Sequence, residues 1–490
     1  MTRITVVGAG VGGLACGARL AARGYDVQVY EQADVVGGKL GLHEQDGFRF
    51  DTGPSLLTWP QVLHDVLEAT APADGGAPVD LERVEPIARY HYPDGAILDA
   101  YGERDRMRRS FDTALGLGTG AAWTRLMDRA GRMWDAIEGP ILSQPQHGVT
   151  GLVNQARRLT DLQKIAPHRS LRGIGQQYLH HPHQQQFLER YATYTGSDPR
   201  RAPAVLATIP WLEQTTGAWY VDGGLHRIAE VLAERIVAHG GNVHTSARVD
   251  AVATSGDRVT GITLADGTRA PADIVIANTE ARTLYGRLLE HPGAPKWRRE
   301  LERAEPSLSG FVVLLGLDGT TPDLAHHSVL FSADYDAEFD AIFGSDPQPV
   351  ADPTIYVSVP DDATTAPDGS EAWFVLVNAA RQGPVDWDAG DRSARYAEHV
   401  IDLMAKRGID VRHRIRTSAW ISPADLARRT GAIGGAIYGT SSNGWRAAAM
   451  RPANRGPIEG LYLVGGSAHP GGGLPLVLKS AEITANLIGG

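Results

Sequence analysis

The sequence predicts an α/β protein: a Rossmann-like domain assembled from both ends of the chain, with further lobes inserted between them. Three observations carry this. The N-terminus reads strand, glycine turn, helix, strand over residues 4–30. An acidic residue closes the second strand, and a second glycine pair follows it. The C-terminus repeats strand, glycine turn, helix over residues 461–488.

The first strand, residues 4–7, is β-branched and runs into Gly8-Ala9-Gly10-Val11-Gly12-Gly13. A helix is expected over residues 14–23, with Gly24 as its stop and a strand over residues 26–30. Gly8 permits the tight turn, Gly10 lets the backbone approach a pyrophosphate, Gly12 continues the turn, and Gly13 lets helix and sheet pack closely. The helix start offers free N–H groups and a positive dipole end to phosphates. Glu31 then supplies a carboxylate for an adenosine ribose and disfavours a 2′-phosphate. Gly37-Gly38-Lys39 follows; a second glycine pair so close to the acidic residue is not expected of nicotinamide dehydrogenases.

At the other end, residues 461–464 form an apolar strand entering Gly465-Gly466-Ser467-Ala468-His469-Pro470-Gly471-Gly472-Gly473. A helix over residues 476–488 closes the chain. This segment is expected to dock on the N-terminal sheet and present N–H groups at a helix start to the same ligand.

The remaining sequence bounds the possibilities. A chain of 490 residues exceeds one hydrophobic core, so two or more lobes are expected. A net charge of −10 argues against nucleic acid as a partner. The one cysteine, Cys16, permits neither a disulfide nor a cysteine metal site and reads as a buried structural thiol. No signal peptide and no run of the ~20 apolar residues that span a bilayer is seen, and the apolar run 311–317 reads as a buried strand. The expectation is a cytoplasmic protein, soluble or attached peripherally to a membrane.

Between the ends, a helix to about residue 239, a strand at residues 243–245 and a small sheet around Val249, Val252, Val259 and Ile262 are expected, with a further strand over residues 272–278. Residues 104–219 read as helical. Arg106, Arg108, Arg109, Arg125, Arg129 and Arg132 interleave there with Phe111, Trp123, Leu126, Met127, Met133 and Trp134. A second stretch sets Arg157, Arg158, Lys164, Arg169 and Arg172 beside Leu152, Val153, Leu159 and Leu162. Such a pattern fits helices on an anionic membrane surface, and equally a solvated face over an ordinary core. The domains expected are 1–104, 222–285 and 456–490 for the discontinuous nucleotide-binding unit, 105–221 for a helical membrane-associating lobe and 286–455 for a substrate domain.

Over essentially its whole length the chain resembles the bacterial-type carotenoid desaturases, the phytoene desaturase family. The resemblance rests on Gly37-Gly38-Lys39, Phe50-Asp51-Thr52-Gly53-Pro54-Ser55 and Trp219-Tyr220-Val221-Asp222-Gly223-Gly224-Leu225. In the second half it rests on Ala325-His326-His327, Gly434-Gly435-Ala436-Ile437-Tyr438-Gly439, Arg451-Pro452-Ala453-Asn454-Arg455 and, most specifically, Ala468-His469-Pro470-Gly471-Gly472-Gly473-Leu474-Pro475.

It implies the FAD-binding fold of the amine oxidase and phytoene desaturase superfamily, with FAD as cofactor. The FAD contacts implied are Gly8, Gly10, Gly12, Gly13, Glu31, Gly37, Gly38, Lys39 (many relatives have arginine) near the diphosphate, Val249 through its backbone at adenine, and Gly465, Gly466, Pro475, Leu476 and Val477. Leu476 stands where many relatives have glycine, and Gly465-Gly466-Ser467 looks more like the branch that desaturates carbons 3,4 of acyclic or 1-hydroxylated carotenoids. The implied partners are an acyclic carotenoid and the inner face of the cell membrane; oligomeric state is left open.

Removing hydrogen across a carbon–carbon bond needs a two-electron acceptor, and the flavin provides it. No paired glutamates, nucleophile elbow or metal motif stands out. His469, His326 and His327 are the catalytic candidates; positioning or stacking is the more common role for a histidine before proline, and a histidine pair also suits a surface turn. The alternatives are phytoene desaturation, an amine or protoporphyrinogen oxidase on the same fold, and a non-catalytic binder of prenylated cargo.

Overall fold

The computed structural model describes residues 1–73, 75–146, 164–444, 447 and 451–489 of the chain. Strand Arg3–Val7 enters the first glycine turn, helix Val11–Ala22 follows, and strand Asp26–Tyr30 returns beside the first. The helix starts at Val11 rather than at residue 14, because Gly12 and Gly13 already belong to its first turn.

Both strands lie in a five-stranded parallel sheet whose order is 242–244, 26–30, 3–7, 274–277, 461–463. Parallel neighbours need long crossover connections, and here some of those connections are whole lobes. The sheet is buried on both faces, as parallel sheets are. Ile4, Val6, Val27, Val29 and Ile276 share a core with residues of helices Val11–Ala22, Arg227–Ala238 and Leu474–Gly489. On the other side Val7, Val275, Ala277 and Leu463 pack with Val249, Val252, Val259 and Ile262 of a small antiparallel sheet. Cys16 is buried in the first core, where burial pushes its thiol up to about 12, so it is structural.

A second, seven-stranded sheet has the order 415–421, 309–318, 370–379, 355–358, 327–330, 88–91, 97–100. Strand Ser309–Asp318 is the buried strand expected at residues 311–317. Its alternate residues serve two cores. Phe311, Val313, Leu315 and Leu317 pack with Tyr396, Ala397, Val400 and Met404 of helix Arg392–Lys406. Val312 and Leu314 pack against Phe48 and Phe50 of the hairpin Leu42–Gln45/Phe48–Asp51. That hairpin leads straight from the second glycine pair to the second sheet.

Two expected boundaries shift. Strands Ala88–His91 and Ile97–Ala100 pair within the second sheet, so a division at residue 104 assigns them to the wrong sheet. Strand Ala218–Val221, placed at the end of the helical lobe, pairs instead with Leu57–Thr58 and Leu81–Arg83 of the N-terminal region.

The helical lobe includes helices Arg104–Leu115, Thr119–Ile137, Leu171–Tyr178, Pro182–Glu189 and Thr208–Thr216. Phe111, Trp123, Leu126, Met127 and Met133 point inward, into one core with Phe187 and the sheet residues Tyr90 and Phe331. Several of the basic residues are held by acids: Arg104 by Asp128 at 2.5 Å, and Arg172 by Glu189 at 2.6 Å and Asp336 at 2.5 Å. Most of the second basic stretch, including Leu152, Val153, Arg157, Arg158, Leu159 and Leu162, lies outside the described residues. Among the described residues no helix is long and apolar enough to cross a membrane.

Candidate functional site: two glycine turns facing one asparagine

At Gly8 a φ of +99° turns the chain, and its N–H donates to the Tyr30 carbonyl at 2.8 Å. No side chain caps the helix that follows, and its first turn carries no acid. Its leading N–H groups are thus available to an anion. A side chain at Gly12 would strike the Gly465 Cα at 2.9 Å and Asn278 Nδ2 at 3.0 Å, so the two turns meet there.

The second glycine pair closes over the first turn. The Gly37 N–H donates to the Ala9 carbonyl at 2.8 Å, and a Cβ on Gly38 would lie 3.2 Å from the Gly10 Cα. Glu31 is buried, and its carboxylate accepts the Ala9 N–H at 2.7 Å and the Ala33 N–H at 2.9 Å. The acid expected at a ribose therefore also fixes the turn itself. Ser246 and Ala247 donate to the carbonyls of Ala33 and Glu31, which brings the start of strand Val249–Ser255 alongside; Val249 is buried there.

Lys39 departs from the simple picture of a cation left facing the diphosphate. The residue is half-buried, and its ammonium donates to the carbonyls of Ala436 at 2.9 Å and Ile437 at 2.6 Å, leaving one of three donors. Burial lowers its pKa. The lysine ties the N-terminal segment to the chain that leads into the C-terminal half.

The C-terminal turn is held by residues that sequence reasoning did not assign. Asn278, just past strand Ile274–Ala277, donates to the Val464 carbonyl at 3.1 Å, and its Oδ1 would lie 2.7 Å from a Cβ on Gly10. Asn454 is buried and its Nδ2 reaches the His469 carbonyl at 2.9 Å and Ser480 Oγ at 3.0 Å. Ser480 Oγ in turn accepts the Gly465 N–H at 3.1 Å.

Arg451 is buried and donates to the carbonyls of Gly466 at 2.9 Å, Tyr438 at 3.0 Å and Thr440 at 3.0 Å. Burial lowers its pKa to about 10, partly opposed by Glu280. Asn278 and the Arg451–Asn454 pair stood in view in the sequence, as the end of a strand and as a quoted motif. Only the fold gives them their partners.

Helix Leu474–Gly489 starts directly after the loop, so Pro475, Leu476 and Val477 occupy its first turn, which carries no acid. A Cβ on Gly12 would come 3.1 Å from Val477 Cγ1. These features fit a dinucleotide. The two glycine turns meet at Asn278, a side chain on Gly12 would strike the second turn, and the half-buried Lys39 and the buried Arg451 lie close by. The residues that would hold FAD are those of the two turns, with Glu31 and Val249 at its nucleoside end.

The three histidines fall in two places. His469, preceding a cis proline peptide, is buried, and its Nε2 donates to the carbonyls of Ile141 and Gln144 at 2.9 and 3.0 Å. That nitrogen joins the glycine loop to the end of the helical lobe and is spent on main chain, so positioning is the role its geometry supports. Burial lowers its pKa.

His327 is buried and opens strand His327–Leu330 of the second sheet, and the half-buried His326 immediately precedes it. His326 lies edge-on to Tyr220, with ring centroids 5.0 Å apart, and burial lowers its pKa to about 4. The His327 Nδ1 lies 2.8 Å from the Tyr356 hydroxyl, and burial holds this ring neutral too. Both Nε2 atoms are buried without a partner among the described residues.

The fold and site define an FAD-dependent oxidoreductase, and the chain belongs to the flavin-containing amine oxidoreductase family, which it matches over residues 11–489. It is 32% identical to 4,4'-diapolycopene oxygenase of Methylomonas sp, with 99% of this chain and 98% of that protein covered. It is 30% identical to 1-hydroxycarotenoid 3,4-desaturase of Flavobacterium sp. (strain P99-3), covering 100% and 99% of the two. Among solved structures, an oxidoreductase from Methanosarcina mazei has a TM-score of 0.62 at 18% identity, covering 98% of this chain and 99% of that one. A putrescine oxidase variant reaches 0.66 at 14% identity, covering 99% of each. These two show the fold.

Proposed function

We propose that this protein desaturates an acyclic carotenoid, introducing a C=C bond at carbons 3,4, with FAD as the electron acceptor. The observation that carries the reading is full-length likeness, at 30–32% identity, to enzymes named for work on carotenoids and their diapo relatives. When bound, FAD accepts the two electrons that loss of two hydrogens releases, a capacity no side chain has.

The chain's own residues then have three tasks. The two glycine turns hold the cofactor at the seam of the two lobes. Phe50, Ser55, Tyr220, Ser358 and Phe374, together with the charged Arg49 and Asp51, line a small pocket of mixed polar and apolar character between the N-terminal hairpin and the second sheet. Burial excludes water from the reacting carbons. No strong base is required, in keeping with three histidines that burial holds neutral or disposes toward neutrality.

A second reading, oxygenation near the end of the polyene, draws on two relatives named as oxygenases at 32% identity. Product mass separates the two: desaturation removes two hydrogens, oxygenation adds oxygen. Expression in bacteria accumulating phytoene, lycopene or a 1-hydroxycarotenoid, followed by pigment mass analysis, tests both. Unchanged pigment in all three strains with FAD-loaded protein present overturns the proposal.

Peripheral attachment to the inner face of the cell membrane is part of the same reading. It is supported by the lipid-dwelling substrate class and by Leu117, which is 95% exposed between two helices that carry exposed Arg109, Arg125 and Arg132. Co-sedimentation with anionic vesicles, lost in Leu117→Asp, is the expected result; equal sedimentation of both proteins counts against it.

A further inference from the structure

Helix Pro182–Glu189 runs directly into the turn Arg190–Thr195, which buries Arg190 beside the second sheet. Its guanidinium donates to the Tyr194 hydroxyl at 2.9 Å and, more weakly, to that of Tyr90 at 3.4 Å. It faces the rings of Tyr90, Tyr194 and Tyr356 at 5.5, 5.2 and 5.6 Å. Among the described residues no carboxylate forms an ion pair with it. The nearby acid, Glu213, instead accepts the Tyr191 hydroxyl at 2.6 Å, and burial raises its carboxyl to about 7. A buried cation without an anion is costly, and phenol rings and hydroxyls offset only part of that cost.

Two further observations give the cluster a direction. The Tyr356 hydroxyl lies 2.5 Å from Ser55 Oγ and 2.8 Å from His327 Nδ1, and His327 is fully buried with its Nε2 unpartnered among the described residues. Ser55 and its neighbour Phe50 line the pocket between the hairpin and the second sheet. Tyr438 lies between the Arg190–Thr195 turn and the C-terminal glycine loop: a Cβ on Gly196 would lie 2.9 Å from its ring, and one on Gly472 2.7 Å. One aromatic side chain thus separates the turn that carries the cation from the glycine loop that would hold the flavin.

We propose that Arg190, with the hydroxyls of Tyr194 and Tyr356, forms a subsite for an oxygen function, hydroxyl or carbonyl, at the end of the polyene. Lone pairs on that oxygen accept N–H and O–H groups of this cluster, which a hydrocarbon end cannot engage. Holding the chain end there would favour reaction near a terminus over reaction at mid-chain. This inference rests on the function proposed above and names its substrate class: acyclic polyenes already oxygenated at one end. The reaction that supplies the substrate is then a hydration or oxidation of the chain end.

The test is equilibrium binding to the FAD-loaded protein in detergent, followed by the visible band of the polyene. The probes are lycopene, its 1-hydroxy-1,2-dihydro derivative and an aldehyde-ended polyene of equal length. The wild type is expected to bind the two oxygenated probes at least about ten-fold tighter, since sites built to hydrogen-bond an oxygen discriminate strongly against its absence. Arg190→Met is expected to erase the difference with flavin content unchanged, and Arg190→Lys to restore part of it. A purely structural arginine would alter stability and leave the preference intact.

Should Arg190→Met fail to fold, Tyr194→Phe and Tyr356→Phe decide, each expected to cut the preference several-fold. An unchanged preference in those variants, or equal binding of all probes by the wild type, overturns the subsite. Equal binding accompanied by hydrogen removal overturns the subsite alone, whereas failure to bind any polyene overturns the proposed function with it.

Discussion

The first glycine turn and the last share an order, strand, glycines, helix, yet they are held differently. Residues 8–13 are fixed largely through the main chain: Gly8 bonds to Tyr30, Gly37 to Ala9, and Glu31 accepts two nearby N–H groups. Residues 465–473 are fixed by side chains, Arg451, Asn454 and Ser480, with Asn278 bridging to the first turn. A turn held by backbone groups and one carboxylate is set mainly by glycine placement and strand order, both of which the sequence displays. A turn held by buried polar side chains depends on a network in which each member needs the others satisfied.

The sharpest way to break the comparison is at the point where the turns touch. Gly12→Val places atoms against Gly465 and Asn278, and should yield protein without flavin and with a lowered melting temperature. A yellow Gly12→Val protein would mean that the turns do not close on one another.

Asn454→Ala should act on the second turn only. It strands the His469 carbonyl and removes one partner of the Ser480 hydroxyl in a buried site, at a cost of about 1–3 kcal/mol in denaturant unfolding. Hydrogen exchange should rise over residues 463–484 and stay unchanged over residues 3–14.

Glu31→Ala removes the acceptor that fixes the turn and that, on the proposed reading, would also meet the ribose. A loss of about ten-fold or more in FAD affinity and of about 1–3 kcal/mol in stability is expected, read by flavin titration and unfolding. Unchanged flavin content would remove Glu31 from the site.

The smallest effect is in pH dependence. Burial raises Asp51 from 3.8 to about 6, against the pull of N–H groups from Leu225 and His226, and raises Glu213 from 4.5 to about 7. With folded values above unfolded ones, their contribution to stability is full below the unfolded values and is lost as pH rises through about 6 and 7. Melting temperature should fall across that window, and Glu213→Gln should flatten the fall.

Much of the nucleotide-binding lobe was legible in the sequence. The strands at residues 4–7 and 26–30, the C-terminal helix and the buried run at 311–317 follow from β-branching, glycine placement and apolar continuity, all local signals. The strands at 88–91 and 97–100 were misassigned because pairing with residues 327–330 is set by the fold, not by their own composition. The helical lobe's interleaved arginines and aromatics fit either a membrane surface or a solvated face over an ordinary core; Trp123, Leu126 and Met127 lie in a core, which interleaving alone does not reveal. Arg190 and Glu213 carried no signal, since a buried polar residue is recognisable only once burial is known, and Asn278 showed only its place at a strand end.

The central claim is that both glycine turns hold a flavin that oxidises an acyclic polyene. Anaerobic addition of an oxygen-ended acyclic carotenoid to the yellow protein tests it most directly. The oxidised flavin's visible band should bleach as a product lighter by two hydrogens forms. A band that persists with every polyene and bleaches with a primary amine would contradict the account.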